Sequence, residues 1–297
     1  MKKIFLTVAL AFSLFVSRAQ DASRVAMGFA AIPRSTESLG MGGVSGFDNV
    51  AYRPFGSSVF AAEVSYAMWA PKSATPSNDI NIGLSGKIAD KLGLKAGFSM
   101  DNAKPYNVYD DTGVSKGSFT PKDMLFSIGA SYKIAPVVSL GLTFKSMSST
   151  LSPSSKISGI GFDVVAAGSF KTWKYAAGVT SLGGKVKSVS GKEYSLPSSI
   201  MIAGGYCNTF AEKHGLDVDV QADVFFKGGL RACLGAAYSF NDLLAVRLGY
   251  NYGGKTVLPS FFSAGIGVKF AGISINGTFL FGSVLSPTMQ FGLGYSF

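Results

Sequence analysis

The feature that most constrains this chain is a two-residue rhythm that recurs from about Val64 to Leu293. Near Leu92 the apolar residues Leu92, Leu94, Ala96, Phe98 and Met100 alternate with Gly93, Lys95, Gly97, Ser99 and Asp101. Met124, Phe126, Ile128, Ala130 and Tyr132 stand in the same way against Ser127, Gly129, Ser131 and Lys133. Leu216, Val218, Val220, Ala222 and Val224 stand against Asp217, Asp219, Gln221 and Asp223. Successive side chains of a strand point to opposite faces, so each segment has an apolar wall and a polar wall. Wound as a helix, the same residues would scatter their apolar members around the axis.

The N-terminus reads as an export signal. Lys2 and Lys3 precede the apolar run Ile4–Val16, and Ser17-Arg18-Ala19 places small residues where a signal peptidase reads. We place the cut after Ala19, which makes residues 1–19 a signal peptide and lowers the formal charge from +10 to +7. The remaining Lys and Arg residues are dispersed, which argues against a nucleic-acid partner. After Ala19 no run of 18 apolar residues appears, so no helical span is predicted. Yet the chain is 47% hydrophobic and only 15% charged, against about 25% charged in an ordinary soluble domain. An exported, apolar, alternating chain without a helical span fits a bacterial outer-membrane β-barrel, whose strands face lipid on one side. A soluble two-sheet sandwich would also alternate, but with a charged outer face.

Fourteen segments show the alternation; the other eleven centre on Val64, Ile82, Leu142, Val164, Ala177, Ile202, Leu234, Leu248, Ile266, Ile275 and Leu293. Short turns follow most even-numbered segments, as at Ala89-Asp90-Lys91, Lys171-Thr172 and Asn241-Asp242. Longer linkers mostly follow the odd ones, the longest being Asn102 to Lys122 and then Ser181 to Pro197. Short turns at one end and long loops at the other is the outer-membrane arrangement, with the short turns periplasmic. The prediction is an all-β membrane protein: a fourteen-stranded antiparallel transmembrane β-barrel over 58–297, preceded by a plug-like periplasmic or lumenal segment over 20–57.

On the polar wall, Asp217, Asp219, Asp223, Arg231 and Arg247 form a lumenal cluster. A tight hairpin at Lys227 sets Asp223 opposite Arg231 and Asp219 opposite Gly235, and Arg247 one strand further on could reach across that glycine. An ion-pair ladder is favoured over a cation site. His214, the single histidine, falls in a turn without a nucleophile beside it. Cys207 and Cys233 both face inward, separated by a whole strand, or about 10 Å, too far for a disulfide. No catalytic residue, metal site or cofactor is expected.

The stretch GYNYGGKT, from Gly249 to Thr256, fits the phosphate-loop pattern letter for letter. Such a loop must open a helix whose N-terminus holds the phosphate. Here Leu244, Val246, Leu248, Tyr250 and Tyr252 form the apolar face of the eleventh segment, Pro259 follows closely, and alternation resumes at Phe262. The reading is a strand leaving the membrane, with two interfacial tyrosines and Lys255 in water, and no nucleotide.

Between the signal and the first segment lies STESLGMGGVSGFDNVAYRPFGSS. Arg34, the run Ser38-Leu39-Gly40-Met41-Gly42-Gly43, then Asp48 and Pro54 resemble the N-terminal signature of the PorV/PorQ proteins, within the wider FadL-like group of fourteen-stranded barrels. That group shows an arginine or small residue before an MGGA-like turn, then an acidic residue, then NPA. Here Arg53-Pro54-Phe55 stands at the last place. The resemblance implies that Arg34, Leu39, Gly40, Met41, Gly42, Gly43, Asp48, Arg53 and Pro54 belong to a plug or binding segment. It implies two functions. PorV/PorQ proteins are outer-membrane adaptors of type IX secretion, holding cargo at the cell surface with protein partners. FadL-like proteins pass hydrophobic small molecules inward. The short loops and the departure from NPA favour the adaptor; the transporter, or an accessory barrel of another outer-membrane complex, is the alternative.

Overall fold

The computed structural model describes residues 25–56, 58–70, 76–188, 191–227, 229–253, 258–282 and 287–297. The predicted signal peptide and residues 254–256 of the phosphate-loop match lie outside the described residues. Fourteen strands close into one antiparallel barrel. They are β1 (Phe60–Trp69), β2 (Ser77–Ala89), β3 (Leu92–Ala103), β6 (Lys122–Ala135), β7 (Val138–Ser152), β8 (Ser155–Phe170) and β9 (Trp173–Gly183), followed by β12 (Ser199–Phe210), β13 (His214–Phe225), β14 (Gly229–Phe240), β15 (Leu244–Tyr252), β16 (Phe261–Phe270), β17 (Ile273–Phe281) and β18 (Thr288–Ser296). Each strand pairs with its neighbours in sequence, and β18 returns to β1 with Val64 opposite Leu293. The Phe297 carbonyl oxygen completes the seam by accepting from the Val59 and Phe60 backbone N–H groups. Every predicted segment centre falls within one of these strands.

The outer wall carries the apolar set. Leu142, Val164, Ile202, Leu248, Ile266, Ile275 and Leu293 are exposed on it, while their polar neighbours in sequence face the lumen. A closed barrel pairs all its backbone groups internally, and so it can present such a wall to hydrocarbon. Aromatic residues gather near both rims. Phe170, Trp173, Phe240, Phe270 and Phe297 are exposed at one end, and Tyr252, Phe262 and Phe281 at the other. Among the described residues no helix is long and apolar enough to cross a membrane.

Tight turns close one end. Lys171, Asn241, Asp242 and Ala271 take positive φ there, the backbone hand that two-residue hairpins favour. At the other end the two longest linkers carry short hairpins of their own. Asn102–Lys122 contains the hairpin β4 (Tyr106–Tyr109) with β5 (Ser115–Phe119), and the second linker contains β10 (Val186–Lys187) with β11 (Glu193–Tyr194). His214 is not in a turn: it opens β13, and its Nδ1 lies 2.6 Å from the Tyr238 hydroxyl. The turn there is shorter than the polar composition suggests, because pairing continues to Phe210 opposite His214.

Candidate functional site: a segment threaded through the lumen

Residues 25–56 run through the barrel from the long-loop end to the short-turn end. At the long-loop end, the Ala26 N–H donates to the Ser195 carbonyl at 2.9 Å, and Val25 bridges Ser195 in parallel. Met27, Phe29 and Ala30 pack there with Leu125, Met147, Val186 and Leu196. Below them the Arg34 guanidinium pairs with Asp79 and donates to the Phe29 carbonyl at 2.7 Å.

The short helix α1 (Thr36–Gly40) follows. Leu39 on it packs against Trp69, Leu258, Phe261 and Leu280. Its end is a glycine cap: Gly42 takes φ +71°, and the Gly43 N–H donates to the Ser38 carbonyl at 2.8 Å. That bond is the long-range member of a Schellman motif, which needs a left-handed residue after the helix. The Gly42 N–H, which such a motif would direct to the helix, donates instead to Ser263 Oγ at 2.9 Å. The same hydroxyl donates to the Gly40 carbonyl at 2.9 Å. A Cβ on Gly42 would lie 2.7 Å from the Leu234 carbonyl oxygen and the Tyr250 backbone, so the turn lies flat on the wall.

The segment then continues towards Lys95 and Gly93 near the short-turn end of β3. The Ser45 and Gly46 N–H groups both donate to Gln221 Oε1 at 2.8 Å. Asp48 pairs with Lys95 at 2.7 Å and with Arg53 at 3.8 Å. Glu37 pairs with Arg53 at 3.7 Å and with Arg247 at 3.1 Å. Burial by itself lowers the pKa of Arg53, but the Asp48 and Glu37 carboxylates outweigh it and hold the guanidinium above its ordinary value. Pro54 fits against Gly93, where a Cβ would come within 2.6 Å of the ring. All nine signature residues therefore lie on this one thread.

The lumenal cluster divides into three groups. Asp223 stands opposite Arg231, and Arg231 Nε donates to its carboxylate at 2.9 Å. Asp219 stands opposite Gly235 but does not meet Arg247. Its partner is Lys174 on β9, at 2.9 Å, and the same ammonium holds Asp217 at 2.7 Å. Arg247 is drawn to Glu37 and to Asn276 Oδ1 at 2.9 Å. The expected reach across Gly235 fails because the Met41 backbone occupies that space. The first glycine of the phosphate-loop match is explained by the same packing: a side chain on Gly249 would collide with Met41 and Gly42. Both cysteines are free, Cys207 exposed and Cys233 buried.

Sequence reasoning missed a second acidic group. Asp79, Asp101 and Asp123 stand directly opposite one another on β2, β3 and β6, with Arg34 beside Asp79. Their shared wall was legible, but their common row depends on register. It also missed Lys174, whose ammonium lies 4.5 Å from the Phe47 ring centroid as well as between two carboxylates. Among the described residues no group of three His, Cys, Asp or Glu side chains could hold a metal ion.

Beside the thread the lumen keeps a cavity of about 240 Å³. Ala30, Ile32, Leu125, Val165 and Met201 are part of its apolar lining, and serines such as Ser99 and Ser127 share the rest with charged side chains that include Arg34, Glu63, Lys95, Lys145 and Asp163.

No family model and no curated protein matches the chain. Among solved structures it is similar to the P. putida toluene transporter TodX, with 13% identity, 90% of this chain and 99% of that chain covered, and a TM-score of 0.63. The Ralstonia pickettii toluene transporter TbuX matches at 11% identity over 90% of this chain and 98% of its own, with a TM-score of 0.59. The CymD monoaromatic hydrocarbon channel matches at 10% identity over 90% and 98%, also with a TM-score of 0.59. At such identities the likeness establishes the fold: this chain is a closed fourteen-stranded membrane β-barrel of the architecture those channels use.

Proposed function

We propose that this protein is an outer-membrane channel for small hydrophobic molecules, with the short turns in the periplasm. The observation that carries this reading is the cavity of about 240 Å³ beside the thread, with Ile32, Leu125 and Met201 in its apolar lining. A cavity of ~150 Å³ is large enough to hold benzene, so the volume here admits a single aromatic ring. The serines and charged side chains of the lining favour passage over tight retention. The solved barrels of like fold are named as toluene transporters and a monoaromatic hydrocarbon channel, which supports this reading over the PorV/PorQ adaptor.

The test is uptake of radiolabelled toluene by cells that carry or lack the gene. Uptake should fall on deletion, return with the wild-type gene, and stay low with Ile32→Trp, which narrows the cavity. Equal uptake in all strains overturns the reading. Recovery of a stoichiometric protein partner from detergent-solubilised membranes, with unchanged uptake, transfers the assignment to the adaptor.

A further inference from the structure

The wall formed by β6, β7 and β8 is taller than the rest of the barrel. These strands have 14, 15 and 16 residues, whereas β15, β17 and β18 have 9 each. Near its long-loop end this wall carries one outward row of polar residues: Asn102, Lys122, Thr150 and Lys156 stand opposite one another in turn on β3, β6, β7 and β8. Lys122 lies ten residues along β6 from Tyr132 in the apolar belt. At strand rise and barrel tilt that is roughly 25 Å, about the height of a barrel's apolar band. The row therefore sits at headgroup level. On the opposite wall the corresponding strand ends carry Tyr252, Phe262 and Phe281 instead.

Lys122 and Lys156 are both exposed, and neither makes an ion pair among the described residues. They flank Thr150, each one strand spacing away, or about 4.8 Å. Two like charges so placed repel each other, and an anion over Thr150 would relieve both. Below Thr150, the outward residues of β7 are Ser148 and then Ser146. They are flanked by Met124 and Phe126 on β6 and by Ser158 and Ile160 on β8. The three serines, bounded by Met124 and Phe126 on one side and by Ile160 on the other, make a shallow groove that descends into the belt. Phe144 and Phe162 close its foot, with ring centroids 5.6 Å apart.

We propose that this face binds a phosphorylated membrane lipid, its phosphate between Lys122 and Lys156 over Thr150 and an acyl chain along the Ser148–Ser146 groove. Juxtamembrane lysines attract anionic headgroups, and the groove supplies what a free ion does not use. The site lies outside the lumen and is independent of the proposed transport.

The test is native mass spectrometry of the full barrel in detergent, titrated with phosphatidic acid, phosphatidylcholine or inorganic phosphate. Heat-modifiable gel migration verifies that each variant is folded. Phosphatidic acid should remain bound to the wild type. The Lys122→Ala/Lys156→Ala double variant should lose about thirty-fold in affinity, and Ser146→Phe should weaken the lipid adduct by obstructing the groove. Lys91→Ala/Lys213→Ala, at the other rim, should bind as the wild type does. Equal binding by the lysine double variant, equal retention of phosphatidylcholine, or displacement of the lipid by an equal concentration of inorganic phosphate overturns the proposal.

Discussion

Gly235 and Gly249 stand directly opposite each other on β14 and β15, and the Met41–Gly42 backbone rests on the bare patch between them. Neither glycine is needed for a turn, since both lie inside strands. They are glycines because a second stretch of backbone must approach the wall at that height.

Gly249→Leu therefore lifts the thread off the wall. Overpacking costs typically ~1–3 kcal/mol, which should lower the temperature of the heat-modifiable transition. It should also open the thread to added trypsin at Arg34. A variant as stable and as protease-resistant as the wild type disproves the close approach.

The pair between Arg34 and Asp79 ties the thread to the wall, with the two side chains 16% and 1% exposed. Arg34→Met leaves the aspartate buried without its counter-charge. Breaking such a pair from one side costs about 3–5 kcal/mol, readable in urea unfolding of the barrel in bilayers. Arg34→Met combined with Asp79→Asn should recover most of that loss. If the double variant is no better than the single one, the pair is not what makes Arg34 matter.

Asp110 in the β4–β5 hairpin accepts from the Thr112 hydroxyl at 2.6 Å and from the Val114 N–H at 2.9 Å. These bonds hold its carboxyl below the usual value of 3.8. A carboxylate with a depressed folded pKa contributes stability that is present above the unfolded value and is lost as pH falls through the folded one. Hairpin order should thus be constant near neutrality and decline only in strong acid below 3.8. Asp110→Asn should remove that acid transition. Amide exchange of Val114 across the pH range measures both, and an onset near neutrality counts against the assignment.

The two thiols should separate by access alone. Cys207 is exposed at the short-turn end of β12, whereas Cys233 is buried beside Asn251 Oδ1 at 3.3 Å. A water-soluble maleimide should label Cys207 in the folded barrel and reach Cys233 only after unfolding. Equal labelling of both in the folded protein contradicts the packed interior around Asn251.

Much of the barrel was legible because its signal is local. Whether Leu92 or Gly93 faces lipid depends only on parity along one strand, and parity survives any error in pairing. The pairing of Asp223 with Arg231 was also legible, since a tight hairpin transmits register across neighbouring strands. The partners of Asp219 and Arg247 were not. The first is neutralised by Lys174, two strands away, and the second by Glu37, more than two hundred residues earlier in the chain. Both depend on what fills the lumen, and alternation carries no record of that. The linker hairpins escaped notice for a related reason: β10 and β11 are two residues each, too short for a period to show.

By itself, then, the sequence determined an all-β membrane barrel of fourteen strands and which side of each strand meets lipid. Those properties follow from side-chain parity and the demand that every backbone group in hydrocarbon be paired. Only the tertiary structure decided that residues 25–56 thread the lumen, that Gly42 meets Gly249 there, and that a cavity remains beside them. The physical reason is distance along the chain: contacts between residues some two hundred positions apart exist only once the wall has closed around the thread.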